Sequence, residues 1–73
     1  MDILIQEGPL RYRRLGRFRT TITSQSKEGY FWLLDNVEGV TSVLDIAYIM
    51  VEPGAADSLY KRMVEAGLEV VVK

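Results

Sequence analysis

The sequence contains no cysteine and no histidine among its 73 residues, and only two prolines and one tryptophan. Without these two residue types the chain has no thiol nucleophile, no disulfide, no Cys/His zinc site and no imidazole base. These absences remove the commonest catalytic groups, so we predict a protein that is not an enzyme and that uses no cofactor and no metal. The absence of cysteine is also typical of a reducing compartment, which favours a cytoplasmic protein.

Long apolar runs and a basic leader are missing as well. No apolar segment approaches the roughly 20 residues that a membrane-spanning helix needs. The first five residues, Met1–Ile5, include an acid and no basic residue, so we expect no signal peptide and no membrane contact. A single domain of this size buries only about 60% of the surface of its unfolded chain. A dense core or association with another chain must therefore supply the remaining stability.

The charge is divided unevenly along the chain, although the net charge is only −1. Residues 1–19 carry five arginines and two acidic residues, whereas residues 20–73 carry four basic and eight acidic residues. Arginines interleaved with aromatic rings can hold phosphates while the rings stack on bases. The residues of this basic segment are Arg11, Tyr12, Arg13, Arg14, Arg17, Phe18 and Arg19.

Two observations make nucleic-acid binding through residues 10–19 the alternative rather than the first hypothesis. The Lys/Arg-Gly-aromatic pattern with which RNA-binding sheets hold their ligand is missing. The rest of the chain is acidic, whereas nucleic-acid-binding domains usually carry a net positive charge. Arginines that coat a strand or pair with a neighbouring subunit are the simpler interpretation.

Hydrophobic periodicity predicts four strands and two helices after an N-terminal segment. Period-two alternation with β-branched residues is typical of strands, and apolar residues three and four apart are typical of helices. Ser24 or Ser26 is a candidate N-cap of the first helix. The predicted elements are a strand over 17–23, a helix that ends before Gly39, strands over 40–45 and 47–52, a helix from Pro53 to Gly67 and a strand over 68–73.

Two apolar segments are expected to supply much of the core. The first helix has one broad apolar face, formed by Tyr30, Phe31, Leu33, Leu34 and Val37. The segment 40–51 contains Asp45 as its only charged residue. It is long for one strand, so it is either a hairpin that turns near Asp45 and Ile46 or one bent strand.

This order of elements predicts a ferredoxin-like α+β sandwich, with two helices on one face of a four-stranded antiparallel sheet. Residues 17–73 form this domain, and residues 1–16 form an N-terminal basic extension that is a short strand or an arm. The helices leave the second face of the sheet uncovered. Because exposed apolar surface on a small domain favours association, we expect a homo-oligomer.

The residues on the uncovered face follow from strand alternation. If Val70 and Val72 face the helices, Val71 faces outward, and the first predicted strand turns outward Arg17, Arg19, Thr21 and Thr23, so we expect a mixed face that is apolar in places and basic at one strand. The third predicted strand turns outward either Tyr48 and Met50 or the set Ala47, Ile49 and Val51. Trp32 either anchors a partner or folds over its helix to complete the core. The expected interface residues are Trp32, Tyr48, Met50 and Val71.

Two segments, YFWLLDNVEGV at 30–40 and IMVEPG at 49–54, resemble the helix-to-strand corner and the third strand of ACT-like regulatory domains. The likeness covers roughly residues 17–66 and extends to a short bacterial family of ACT-like domains of unknown function. The resemblance implies a ferredoxin-like fold, dimerisation and the sensing of a small molecule at a subunit interface.

The resemblance also implies where a ligand lies, because effectors of ACT-like domains bind near the loop between the first strand and the first helix. In this chain that loop implies the ligand-binding residues Ser24, Gln25, Ser26, Lys27 and Gly29. The Asp-x-x-Gly of amino-acid-binding members is absent from the loop. From the residues alone, the serines are either N-caps or part of an anion site at the helix N-terminus. We expect a non-catalytic regulatory module that binds a small metabolite or anion.

Overall fold

The computed structural model describes the backbone of residues 1–9 and 18–73 and the side chains of residues 1–7 and 20–73. These residues form five strands and two helices, so the predicted α+β class is confirmed. The elements are β1 (Ile3–Pro9), β2 (Phe18–Ser24), α1 (Lys27–Asn36), β3 (Thr41–Val43), β4 (Ile46–Val51), α2 (Pro53–Glu65) and β5 (Val70–Val72). Neither helix is long and apolar enough to cross a membrane.

The sheet differs from the prediction in the number, order and direction of its strands. The strand order is β3-β4-β2-β1-β5, and β1 lies antiparallel to β2 and parallel to β5. The prediction of a four-stranded antiparallel sheet is therefore wrong, because the sheet is mixed and has five strands. Strand β1 fills an interior position: it pairs with β2 over residues 3–9 and with β5 over residues 3–5, and it buries Ile3 and Ile5. Residues 10–16 of the predicted extension lie outside the described part.

Both helices pack on the same face of the sheet. Helix α1 contacts β2 and β4, and α2 contacts β2 and β5. Alternate residues on this face are buried from Ile3 to Ile5 in β1 and from Thr20 to Ser24 in β2, which follows from the two-residue period of a strand. The buried hydrophobic residues are Ile3, Ile5, Ile22, Leu33, Ala47, Ala56 and Met63. All of the core lies between the helices and this one face.

The predicted apolar face of α1 is buried only in part. Leu33 is fully buried, whereas Phe31 is 58% exposed and Leu34 is 40% exposed. Helix α1 approaches the sheet through the buried residues Gly29 and Leu33, which are four positions apart and define a narrow stripe. Residues to the side of that stripe therefore remain in contact with water.

The segment 40–51 is a hairpin, so the interpretation as one bent strand is wrong. Strands β3 and β4 pair antiparallel with Val43 opposite Ile46. The two-residue loop between them is Leu44 and Asp45, one position earlier than the predicted turn. Leu44 adopts a positive φ of 57°.

Candidate functional site

Among the strand residues whose side chains the structure describes, which do not include Arg19 of β2, none on the face that the helices leave uncovered is charged. The strand registers place ten side chains on it, which we call the open face: Leu4, Gln6, Thr21, Thr23, Thr41, Val43, Ile46, Tyr48, Met50 and Val71. Three of its apolar members, Val43, Ile46 and Met50, are exposed. Depletion of charge together with exposed apolar side chains is typical of the centre of a protein interface.

Three of the four predicted interface residues lie together on the open face. Tyr48, Met50 and Val71 are there, while Ala47 is buried beneath the helices and excludes the opposite orientation of β4. Trp32 lies apart from them, on α1. Its indole is half-buried, and the guanidinium carbon of Arg62 lies 5.5 Å from its centroid, so Trp32 joins the two helices on the other side of the molecule.

The loop that was predicted to bind a ligand lines a groove of about 330 Å³. Ser24, Gln25, Ser26 and Lys27 form one wall of this groove, and Asp45 and Ile46 form the other. Sequence reasoning missed Asp45 and Ile46. They reach the groove because β4 pairs with β2, which brings the start of β4 to the end of β2. The signal that identifies them is therefore strand pairing and not local sequence.

Both serine hydroxyls of this groove are occupied by hydrogen bonds within the protein. The backbone N–H of Ala47 donates to Ser24 Oγ at 2.9 Å. Ser26 Oγ accepts from the backbone N–H of Gly29 at 3.1 Å and donates to Asp2 Oδ1 at 2.7 Å. Ser26 is thus the N-cap of α1, and Ser24 joins β2 to β4.

The groups that remain for a ligand are the side chains of Gln25, Lys27 and Asp45. All three are exposed, and among the described residues neither Lys27 nor Asp45 forms a salt bridge. The groove thus presents an amide, a cation and a carboxylate. Gly29 does not line it, although Gly29 was predicted with the other loop residues.

Gly29 instead lets the first turn of α1 touch the N-terminal strand. A Cβ at this position would overlap the backbone carbonyl oxygen of Asp2 and would lie 3.0 Å from Ile3 Cδ1. The Asp2 carboxylate lies at the same junction, where it accepts from the backbone N–H of Glu69 at 2.8 Å as well as from Ser26. The Glu69 N–H and then the Ser26 hydroxyl favour the charged carboxylate, so they lower the pKa of Asp2.

A second cavity of about 150 Å³ lies at the opposite end of the helix-covered face. Its lining combines apolar side chains with two carboxylates and one phenol: Ile5, Glu7, Pro53, Ala56, Asp57, Tyr60 and Val72. Thr20, which pairs with Glu7 across the strands, is fully buried, and its hydroxyl has no hydrogen-bond partner within the described part of the chain. Over residues 1–9 and 18–73, no group of three or more acidic residues is placed to hold a metal ion.

The basic segment lies mostly outside the described part of the chain. Arg11, Tyr12, Arg13, Arg14 and Arg17 lie outside the described residues, and for Phe18 and Arg19 only the backbone pairing with Pro9 and Gly8 is described. Nucleic-acid binding through these residues stays a prediction. A comparison of the chain with protein-family models, curated proteins and solved structures finds no match.

Proposed function

We propose that the protein is a non-catalytic regulatory module that self-associates through the open face and binds a small polar ligand beside that face. The observation that carries the proposal is the contrast between the two faces of one sheet. One face is covered by both helices, and the ten side chains that the structure describes on the other face are uncharged. A second copy of the chain provides a surface of matching, uncharged character.

The size of the open face suits a weak dimer. The five strands contain 26 residues in all, and at about 3.3 Å per residue and about 4.8 Å between strands they give a face of roughly 400 Å². Two such faces in contact remove roughly 800 Å² from water, which is slightly less than the roughly 1,000 Å² of a stable specific interface and is typical of a weak one. We therefore expect a reversible dimer in which the two sheets pack face to face.

The fold that supports this role is a ferredoxin-like arrangement with one additional strand. Strands β2, β3, β4 and β5 and the two helices keep the chain order βαββαβ, and β1 is inserted between β2 and β5. The insertion widens the sheet by one strand. It thereby adds Leu4 and Gln6 to the open face.

The ligand groove borders the surface through which we propose the dimer forms. Ile46 lines the groove and also belongs to the open face. A ligand held by Lys27, Asp45 and Gln25 is therefore adjacent to the second subunit, and its binding is coupled to assembly. Because the groove offers one cation and one carboxylate, a small molecule with both charges fits it better than a polyanion.

Sedimentation velocity over a range of concentrations tests the self-association. We expect a dimer at micromolar concentration for the wild type and a monomer for Met50→Glu, because a charge in the centre of an apolar interface is strongly unfavourable. Val64→Glu is the matched control, since Val64 is 48% exposed on α2 and Met50 is 55% exposed on β4. A wild-type monomer, or equal effects of both substitutions, contradicts the proposal.

Binding in the groove is tested by NMR titration with free amino acids as zwitterionic probes and with inorganic phosphate as an anionic probe. We expect saturable shifts at Gln25, Lys27 and Asp45, and a loss of those shifts in Lys27→Gln. Lys61→Gln, an exposed lysine on α2, is the control. Shifts that persist in Lys27→Gln, or that are absent with both probes, contradict the ligand part of the proposal.

A further inference from the structure

The tip of the β3–β4 hairpin combines backbone strain with an exposed apolar side chain. Leu44 is 92% exposed, and it is the only non-glycine residue of the described part that has a positive φ. It is the first residue of a two-residue loop, and Asp45 after it has a negative φ. This pattern matches a type II′ turn, which strongly favours glycine at the first loop position.

Folding of a single chain does not account for a leucine at this position. A positive φ is unfavourable for any residue with a Cβ, and exposure of a large apolar side chain gains nothing from burial. Glycine would remove both penalties and would leave the turn intact. Strained residues that persist in folded proteins are concentrated at functional positions.

The neighbours of Leu44 indicate the surface to which it belongs. Val43 and Ile46, which flank the loop, are 53% and 47% exposed and belong to the open face. Leu44, Val43 and Ile46 therefore form a group of exposed apolar side chains at the β3–β4 edge of the open face. The ligand groove does not use this side chain, because its hairpin wall consists of Asp45 and Ile46.

We infer that Leu44 is an anchor that fixes the register of two copies packed through their open faces. This inference rests on the proposed self-association and adds to it a single position that dominates the contact. A second copy is the fitting occupant, since the contact of two open faces buries slightly less area than a stable specific interface needs, and Leu44 extends that contact with further apolar surface. The two-residue loop already fixes the backbone of Leu44, so binding costs little further backbone entropy. Most of the free energy gained by burying the leucine side chain therefore contributes to affinity.

Leu44→Ala and Leu44→Gly separate the two properties of this residue. Both variants lack the apolar anchor, so both are expected to weaken self-association by roughly tenfold to a hundredfold for each leucine that the interface buries. Only glycine relieves the backbone strain. In dilute solution, where the chain is monomeric, Leu44→Gly is therefore expected to melt roughly 4–8 °C above Leu44→Ala.

Sedimentation velocity of the two variants, with Val64→Ala as the control on α2, decides the assignment. Self-association that weakens in both Leu44 variants and not in Val64→Ala supports the anchor. A wild type that associates, with Leu44 variants that associate equally well, overturns the anchor and leaves the proposed function intact. A wild type that remains monomeric overturns both, as does a monomer that binds phosphatidylglycerol vesicles through Leu44, because the tip then serves a lipid surface.

Discussion

Strand β2 carries two buried hydroxyl side chains on the same face, and the two hydroxyls differ in their hydrogen bonding. Ser24 is 4% exposed and accepts a hydrogen bond from the backbone N–H of Ala47. Thr20 is fully buried and has no partner among the described residues. The hydroxyl is thus part of the hydrogen-bonded framework at one end of the strand, and at the other end no hydrogen bond from the described part of the chain offsets its burial.

The surroundings of Ser24 are also more closely connected than those of Thr20. At the Ser24 end, Asp2, Ser26 and Gly29 connect β1, α1 and the start of β5 through hydrogen bonds and one close backbone contact. At the Thr20 end, a cavity separates α2 from the end of β1 and β5. The comparison indicates that the Ser24 end supports the groove in which we propose that a ligand binds, and that the Thr20 end tolerates change.

The largest expected effect is at the closest contact of the Ser24 end. Gly29→Ala places a Cβ against the backbone oxygen of Asp2, and neither the helix nor the strand can move without breaking the Asp2 hydrogen bonds. We expect a loss of about 2 kcal/mol in the free energy of unfolding, after the better helix propensity of alanine is included. Urea denaturation followed by circular dichroism measures this change.

Gly54→Ala is the matched control for that substitution. Gly54 is also in a first helical turn, but a Cβ there has no neighbour within 4 Å. We expect no loss, or a gain of up to about 1 kcal/mol. If both variants lose the same stability, the contact between α1 and Asp2 is not the constraint that we describe.

The next largest effects are changes in the free energy of unfolding when each hydroxyl is removed, and we expect opposite signs at the two ends of β2. Ser24→Ala removes the acceptor of a buried N–H, so we expect a loss of about 1–3 kcal/mol. Thr20→Val replaces an unpaired buried hydroxyl by a methyl group of similar size, so we expect a gain of up to about 1 kcal/mol. Denaturation midpoints of both variants test the contrast, and a destabilised Thr20→Val variant would show that the Thr20 hydroxyl has a partner.

The sequence alone predicted the elements whose signals are local. The strand expected over 17–23 is Phe18–Ser24, and the helix expected from Pro53 to Gly67 is Pro53–Glu65. In both cases the strand alternation or the terminal proline and glycine lie within the element itself. For the apolar run Met1–Ile5 the sequence left a strand and an arm both open, because the partners that make it the interior strand β1 lie about 20 and 67 residues away along the chain.

The residues of the candidate site also divide into those that local sequence identifies and those that only strand pairing identifies. The loop wall of the groove was found from the sequence, because it lies between one strand and one helix. The hairpin wall was not found, because Asp45 and Ile46 reach the groove only through the pairing of β4 with β2. Gly29 was predicted as a ligand contact, since a glycine beside serines is compatible with either a ligand cradle or close packing, and only the position of Asp2 distinguishes the two.

The smallest and most specific effect is a pH dependence of the free energy of unfolding, which arises from Asp2 at the Ser24 end. The backbone N–H of Glu69 and the Ser26 hydroxyl lower the pKa of Asp2 below its ordinary value of 3.8. A group with a lowered pKa in the folded state adds stability above its unfolded pKa and loses that contribution as the pH falls through the folded value. Asp2→Asn removes the charge, so we expect it to be less stable than the wild type at neutral pH.

The difference between Asp2→Asn and the wild type should narrow steadily as the pH falls below about 4. Urea midpoints of both proteins at about pH 7, 4 and 2.5 measure it, and the other carboxylates cancel because both proteins carry them. Asp35→Asn, an exposed carboxylate on α1, is the control and should show no such convergence. A constant difference across this range would mean that the asparagine variant changes packing at the junction, and that the charge of Asp2 does not hold the N-terminal strand against α1.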